Sequence, residues 1–335
     1  MPLARITFFY SKPRANPNYS ISTLFNTVQI HLPAFLQTET VIVSHLSKGI
    51  FNRLRIMWEA RSKQGDINHV TGDIHFIACL LKRNRTVLTI HDCGFMNHSS
   101  LLLRFVFKWF WLILPVWRSK VVTVVSDATK KDVLKYARCK PEKIKVIPNF
   151  VSNRFKPFPK AFDFNKPTIL HIGTAHNKNL DRLTEAIAGI SCQLNIIGKL
   201  SESQIRLLKK YNIDYTNTYN TTDEMILESF RRCDLLCFVS TFEGFGIPIL
   251  EAQTIGRPVV TSNLSAMPQI AGDGALFVNP FDVNSIRKGI ISIISDAESR
   301  NKLINAGFEN VKRFSQATTV NAYVEVYLKL LGSNA

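Results

Sequence analysis

The sequence predicts an α/β protein made of two doubly wound parallel-sheet domains, and three observations predict it. A length of 335 residues suits two cores of roughly 150 residues each. Short β-branched runs alternate with amphipathic segments, the pattern of a parallel sheet covered by helices on both faces. The alternation halts at a proline-rich stretch near mid-chain and then restarts.

The first series of strands is read at ITFFY (6–10), VIVS (41–44), TVLTI (86–90), KVVTVV (120–125) and IKVI (144–147). PNFVSNRFKPFPKAFDFNKP follows, with prolines at 148, 157, 159 and 167, which fit neither a sheet nor a helix interior and so read as a linker. The second series is TILHIG (168–173), LNIIG (194–198), DLLCFV (234–239), PVVTS (258–262) and GALFV (274–278). Expected domains are therefore 1–157 and 158–314. TTVNAYVEVYLKLL has apolar residues at helical spacing, so 315–335 should form a closing helix, one placement for it being back against the first domain. Ser126 is expected to cap the helix that follows KVVTVV. Strands of both domains would end at a cleft between them, where open α/β sheets bind ligands.

A composition of 46% hydrophobic and 20% charged residues excludes a largely disordered chain. The net charge of +17 is unevenly placed: residues 1–157 hold 24 Lys and Arg against 8 Asp and Glu, whereas 158–335 hold 18 against 17. An anionic partner is expected for the first domain. Nucleic acid is disfavoured, because basic residues are not interleaved with stacking aromatics in any recognisable module. The 6 cysteines form no CxxC pair, which argues against a zinc ribbon or redox motif and fits a reducing compartment. MPLARITFFYSKPR shows no secretory signal. The expected location is cytoplasmic, peripheral on the inner face of the membrane.

That membrane expectation rests on residues 101–118, LLLRFVFKWFWLILPVWR. Its longest uncharged run, Trp109 to Trp117, is far short of the roughly 20 residues that span a bilayer. Arg104 and Lys108 share one helical face, with aromatic and aliphatic side chains elsewhere. Two readings stay open: a helix lying on an anionic leaflet, or a core helix with two snorkelling cations.

The densest chemical signal is LLCFVSTFEGFGIPILEAQTIGRPVVTS, 235–262. Locally it reads as a buried strand, a turn with Gly244 and Gly246, a helix with Pro248 in its first turn and Gly256 after its last, then another strand. Such glycines admit close backbone approach to a ligand, and the helix N-terminus behind them offers N–H groups and a positive dipole end to phosphate or sugar oxygens. Carboxylates such as Glu243 and Glu251 accept hydrogen bonds only, matching sugar hydroxyl donors.

The run EGFGIPILEA resembles the retaining glycosyltransferases of the GT-B fold, family four. That resemblance implies two Rossmann-like domains and a nucleotide-sugar donor. It implies that Glu251 binds the ribose hydroxyls, Glu243 contacts the donor sugar, and the backbone of Gly244, Phe245, Gly246 and Ile247 contacts sugar and phosphate. HIGTAHNKNLDRLTEAI (171–187) is similar to the first strand, loop and helix of the family's donor domain, so Lys178 would bind the diphosphate, helped by the N–H groups of Gly173 and Thr174. Many members carry an arginine shortly before this lysine; here His176 and Asn177 stand nearby. In TVLTIHDCG the resemblance places His91 against the transferred sugar. The glycine-rich loop that many relatives have after the first strand is replaced by YSKPRANPNYSIS, where Arg14 and Ser20 are candidate acceptor or phosphate contacts.

The expectation is a retaining hexosyltransferase that moves a sugar from a nucleotide-diphosphate donor to a glycan or lipid-linked acceptor in surface polysaccharide biosynthesis. No cofactor is expected, and no metal, since the chain contains no DxD sequence. Alternatives are a noncatalytic membrane-surface scaffold or a sugar-nucleotide epimerase sharing the fold.

Overall fold

A computed structural model describes residues 3–13, 19–97 and 100–332. Its contacts divide the chain into two compact units, Met1–Asn149 with Gln316–Ala335, and Phe150–Ser315. The proline-rich stretch has no helix or strand but packs on the second unit: Phe155 is in its core, the Phe158 N–H donates to the Ile255 carbonyl at 3.1 Å, and Lys160 pairs with the buried Asp234.

The first unit holds a six-stranded all-parallel sheet in the order β2-β1-β3-β4-β5-β6, from β1 (Ala4–Tyr10), β2 (Leu36–Ile42), β3 (Ile67–Val70), β4 (Thr86–Ile90), β5 (Val121–Val124) and β6 (Ile144–Val146). Its helices are α1 (Tyr19–Ile30), α2 (Ile50–Ser62), α3 (Leu101–Phe107), α4 (Leu114–Arg118) and α5 (Asp127–Ala137). Ser126 caps α5 by accepting the Thr129 N–H at 3.1 Å.

The second unit repeats the plan with the sheet order β12-β11-β10-β7-β8-β9. These strands are β7 (Thr168–Ile172), β8 (Gln193–Ile197), β9 (Tyr215–Thr218), β10 (Leu235–Phe238), β11 (Val259–Ser262) and β12 (Leu276–Val278). Around them lie α6 (Leu180–Ile187), α7 (Glu202–Lys210), α8 (Asp223–Arg232), α9 (Ile247–Ile255), α10 (Met267–Ala271), α11 (Val283–Ser295) and α12 (Ala297–Val311). The last helix, α13 (Gln316–Gly332), returns to the first unit, where Tyr327 meets His69 of β3.

In each sheet the first strand has one neighbour from the following strand and another from a later one, so the winding reverses beside it. For the second unit the reversal falls between β7 and β10, and loops that leave a reversal point diverge and leave room for a ligand.

Residues 101–118 are partly exposed and partly core. Leu101, Leu102, Phe105 and Phe110 are exposed, whereas Trp111, Leu112, Ile113 and Val116 belong to the core. A π-helical turn, Lys108–Ile113, lies where the change occurs; its wider winding rotates the following side chains to a new face. No helix among the described residues is long and apolar enough to cross a membrane.

Candidate active site

The site is assembled where β7 and β10 end side by side. After β7 the backbone turns through Gly173 at φ 93°, a left-handed conformation that side chains disfavour. A Cβ at this position would also lie 2.9 Å from Lys178 Cγ and Cε, so the bare backbone is what lets the lysine fold across it. Lys178 then reaches over the end of the sheet. Its Nζ lies 2.6 Å from Glu243 Oε1 and 4.9 Å from the centre of the Phe238 ring. Both partners are mostly buried, which strengthens their attraction relative to a surface pair.

Two asparagines hold these loops together: Asn177, noted in the sequence only as standing where relatives carry an arginine, and Asn179, which sequence reasoning passed over. Asn177 donates through Nδ2 to the Phe242 carbonyl at 3.0 Å, while its own carbonyl accepts the Thr241 N–H at 2.8 Å. Asn179, buried and left-handed at φ 65°, donates to the carbonyls of Val239 (3.0 Å) and Pro280 (2.6 Å). The available signal was an Asn immediately before a helical run, since Asn tolerates the left-handed region better than other residues with a Cβ. Ser265 completes the frame by donating to the Glu243 carbonyl at 2.6 Å.

Beyond Glu243 the chain enters α9 through Gly246, at φ 105°, with Pro248 in the first turn where its missing N–H costs nothing. The helix presents its positive end at the mouth of the site. Phe245 is buried with its ring edge-on to Phe314 at 5.8 Å, so only its backbone is left to face a ligand. Thr174 is likewise limited: its hydroxyl donates to the Lys199 carbonyl at 2.7 Å, which leaves the N–H as its donor to a ligand. A cavity of about 250 Å³ next to this loop is lined by Thr174, His176, Asp181, Lys199, Ser201 and Gln204, and does not reach Lys178, Glu243 or Glu251.

Glu251 lies one turn inside α9, half-buried, with no protein hydrogen-bond partner among the described residues. Burial pushes its carboxyl up to about 8; Arg154 opposes the shift and Asp223 adds to it. Those two neighbours pair with each other at 2.8 Å. A carboxyl desolvated in this way lacks the donors that would stabilise its charge, and hydroxyl donors from a ligand would supply them.

In the first unit His91 follows β4 directly. Its Nε2 donates to the Thr71 carbonyl at 2.8 Å, which fixes the neutral tautomer and leaves Nδ1 without a protein partner among the described residues. Burial lowers its pKa, against the opposing effects of the Thr71 carbonyl, Asp92 and Asp73, so the ring is neutral near pH 7. Of the remaining candidates, Ser20 lies in α1 with its side chain outside the described atoms, and Arg14 lies outside the described residues.

Comparison with known proteins agrees with this arrangement. The sequence model described as "Glycosyl transferases group 1" matches residues 152–310, and that described as "Glycosyltransferase Family 4" matches 10–154. The O-antigen chain mannosyltransferase RfbU of Salmonella typhimurium is 30% identical over 81% of this chain and 81% of its own. The serotype-specific mannosyltransferase WbdA of Escherichia coli is 23% identical over 75% of this chain, which spans 34% of WbdA. The chain thus covers about a third of that relative's length. Sucrose-phosphate synthase from Thermosynechococcus elongatus superimposes with a TM-score of 0.81 at 16% identity, over 98% of this chain and 100% of its own. Two doubly wound parallel sheets with these structural neighbours constitute the GT-B fold.

Proposed function

As the chain belongs to the GT-B glycosyltransferases, we propose that it transfers a hexose from a nucleotide-diphosphate sugar to a glycan or lipid-linked acceptor in surface polysaccharide biosynthesis. The observation that carries this reading is the meeting of Lys178 and Glu243 at 2.6 Å beside the α9 N-terminus, with Glu251 unpartnered one turn inside. A cation and a helix N-terminus suit the diphosphate, and two carboxylates suit the hydroxyls of sugar and ribose. Both curated relatives are named as mannosyltransferases, which favours mannose as the sugar.

In the proposed reaction the bond from the anomeric carbon to the diphosphate oxygen breaks and one to the acceptor hydroxyl oxygen forms. The hydroxyl proton passes to the departing diphosphate. Charge developing on the leaving group is met by Lys178 Nζ and the N–H groups at the start of α9. Glu243, released from Lys178 by the competing diphosphate, turns its acceptors to the sugar. For His91 the proposed part is acceptance of a sugar hydroxyl at Nδ1. Attack from the leaving-group face would retain the anomeric configuration, as the family-four assignment implies, and the lysine and helix end would carry the leaving-group charge without a metal. A further part of the reading is contact of residues 101–118 with an anionic membrane surface, where a lipid-linked acceptor would lie.

A thermal-shift screen against UDP, GDP, ADP and their sugar conjugates tests the donor site. A ligand at 100 times its Kd stabilises by about 2.7 kcal/mol. One nucleotide should raise the Tm in the unsubstituted protein and not in Glu251→Ala; no shift with any of them would overturn the reading.

A further inference from the structure

The donor loops leave unexplained a feature of the first unit, the solvent face of α2. Its inner face is ordinary: Ile56 and Ala60 are completely buried in the core. On the opposite side Phe51, Leu54 and Trp58 stand together, one turn apart, with Phe51 79% and Trp58 63% exposed. Isolated exposed apolar residues need no explanation, but aromatic and aliphatic side chains stacked along one stripe do.

The charges around the stripe indicate what covers it. Arg55 and Arg61 are exposed on either side of it, with the Arg61 guanidinium 5.7 Å from the centre of the Trp58 ring, and Lys48 is exposed just ahead of the helix. Glu59 is the only carboxylate in α2, and it is already engaged by the Ser44 N–H, the Ser44 hydroxyl and Lys63. The face therefore combines Phe, Leu and Trp with cations and no free negative charge, the make-up of a helix lying in an anionic lipid interface. A two-fold contact through this face would bring the Arg55 and Arg61 cations of both copies together, a like-charge arrangement. On its inner side α2 packs against the π-helical turn of residues 101–118, the Arg53 guanidinium lying 4.6 Å from the centre of the Trp111 ring.

We propose that the Phe51–Leu54–Trp58 face of α2 is a second membrane-contact surface that inserts into an anionic bilayer. This rests on the membrane reading given above and adds to it a helix outside the segment named there.

The test is co-sedimentation of the full chain with phosphatidylglycerol–phosphatidylcholine vesicles and with phosphatidylcholine alone, at physiological salt. Three double variants are compared: Phe51→Ser with Trp58→Ser, Arg55→Gln with Arg61→Gln, and Leu102→Ser with Phe105→Ser. All six positions lie on the surface, and unchanged Tm values confirm folding. The α2 apolar pair should weaken partitioning by about tenfold or more, and the arginine pair should reduce preference for the anionic vesicles by about fivefold per residue. Binding that survives the α2 changes but is lost in the α3 pair would overturn this inference and leave the membrane reading standing. Failure of the unsubstituted protein to bind anionic vesicles would overturn both. Unchanged vesicle binding with loss of a concentration-dependent dimer in the α2 apolar pair would make the face a self-contact, and the inference would fall.

Discussion

The two units share a plan of six parallel strands wound in both directions, yet they place their polar groups differently. In the second unit the polar groups that matter lie past the strand ends: Lys178, Glu243, Asn177 and Asn179 form one frame across the loops after β7 and β10. In the first unit a polar network runs through the middle of the sheet. His69 Nδ1 is 2.7 Å from the Tyr327 hydroxyl of α13 and its Nε2 is 2.7 Å from Thr89 Oγ1, which in turn meets Thr123 Oγ1 at 2.6 Å. Burial lowers the His69 pKa to about 3, so the ring stays neutral. The same groups, put beyond a strand end, can meet a ligand, whereas in mid-strand they can only meet another element of the fold. The second unit thus gathers polar side chains beyond its strand ends, whereas the first, besides placing His91 after β4, uses a buried network to anchor its last helix.

That contrast can be broken most directly at Lys178. Lys178→Met should lower kcat by about 10²–10³-fold, the usual effect of removing one stabiliser of transition-state charge, with the Tm little changed; a comparable fall in Tm would make the lysine a structural element like His69. Tyr327→Phe is the counterpart in the first unit. It leaves a buried ring nitrogen of His69 unpaired, a loss of about 1–3 kcal/mol in urea unfolding, and should leave nucleotide-induced stabilisation intact. Asn179→Ala sharpens the comparison, because it strips the donor from the buried carbonyls of Val239 and Pro280 while loosening the loop that carries Lys178. Both stability and kcat should fall, the former by about 1–3 kcal/mol.

The last test is a pH dependence at Glu251. Its folded-state pKa of about 8 lies above the ordinary 4.5, so its contribution to stability is complete below 4.5 and is lost as pH rises through about 8. Glu251→Gln cannot titrate, and its Tm should gain on that of the unsubstituted protein between pH 5 and 8. Donor affinity of the unsubstituted protein should strengthen over the same range, since ribose hydroxyls favour the ionised form; calorimetry in two buffers would detect the proton released.

Ten of the strands were legible as β-branched runs, and the two that were not show why. β3, INHV, carries Asn68 and His69 in the middle of a sheet, where a polar run reads as loop; only pairing with Tyr327, Thr89 and Gln64 makes their burial tolerable. β9, YTNT, is the exposed edge of its sheet and lacks an apolar stripe. β2 was read at 41–44 but runs Leu36–Ile42, again an edge strand whose polar start conceals it.

What the sequence alone determined was whatever depends on neighbours along the chain. The strand–turn–helix of EGFGIPILEA follows from two glycines, an early proline and helical periodicity, and the Ser126 cap from a hydroxyl three residues before the N–H it accepts. Tertiary structure decided the rest. Lys178 meets Glu243, 65 positions away, because the winding reverses between β7 and β10 and makes those strands neighbours. His69 meets Tyr327 across 258 positions because the final helix returns to the first unit. Residues 101–118 divide between core and solvent at a π-helical turn that no periodicity announces. A chain's periodicity records which face of an element is apolar; which other element lies against that face is settled only when all of them compete for the same core.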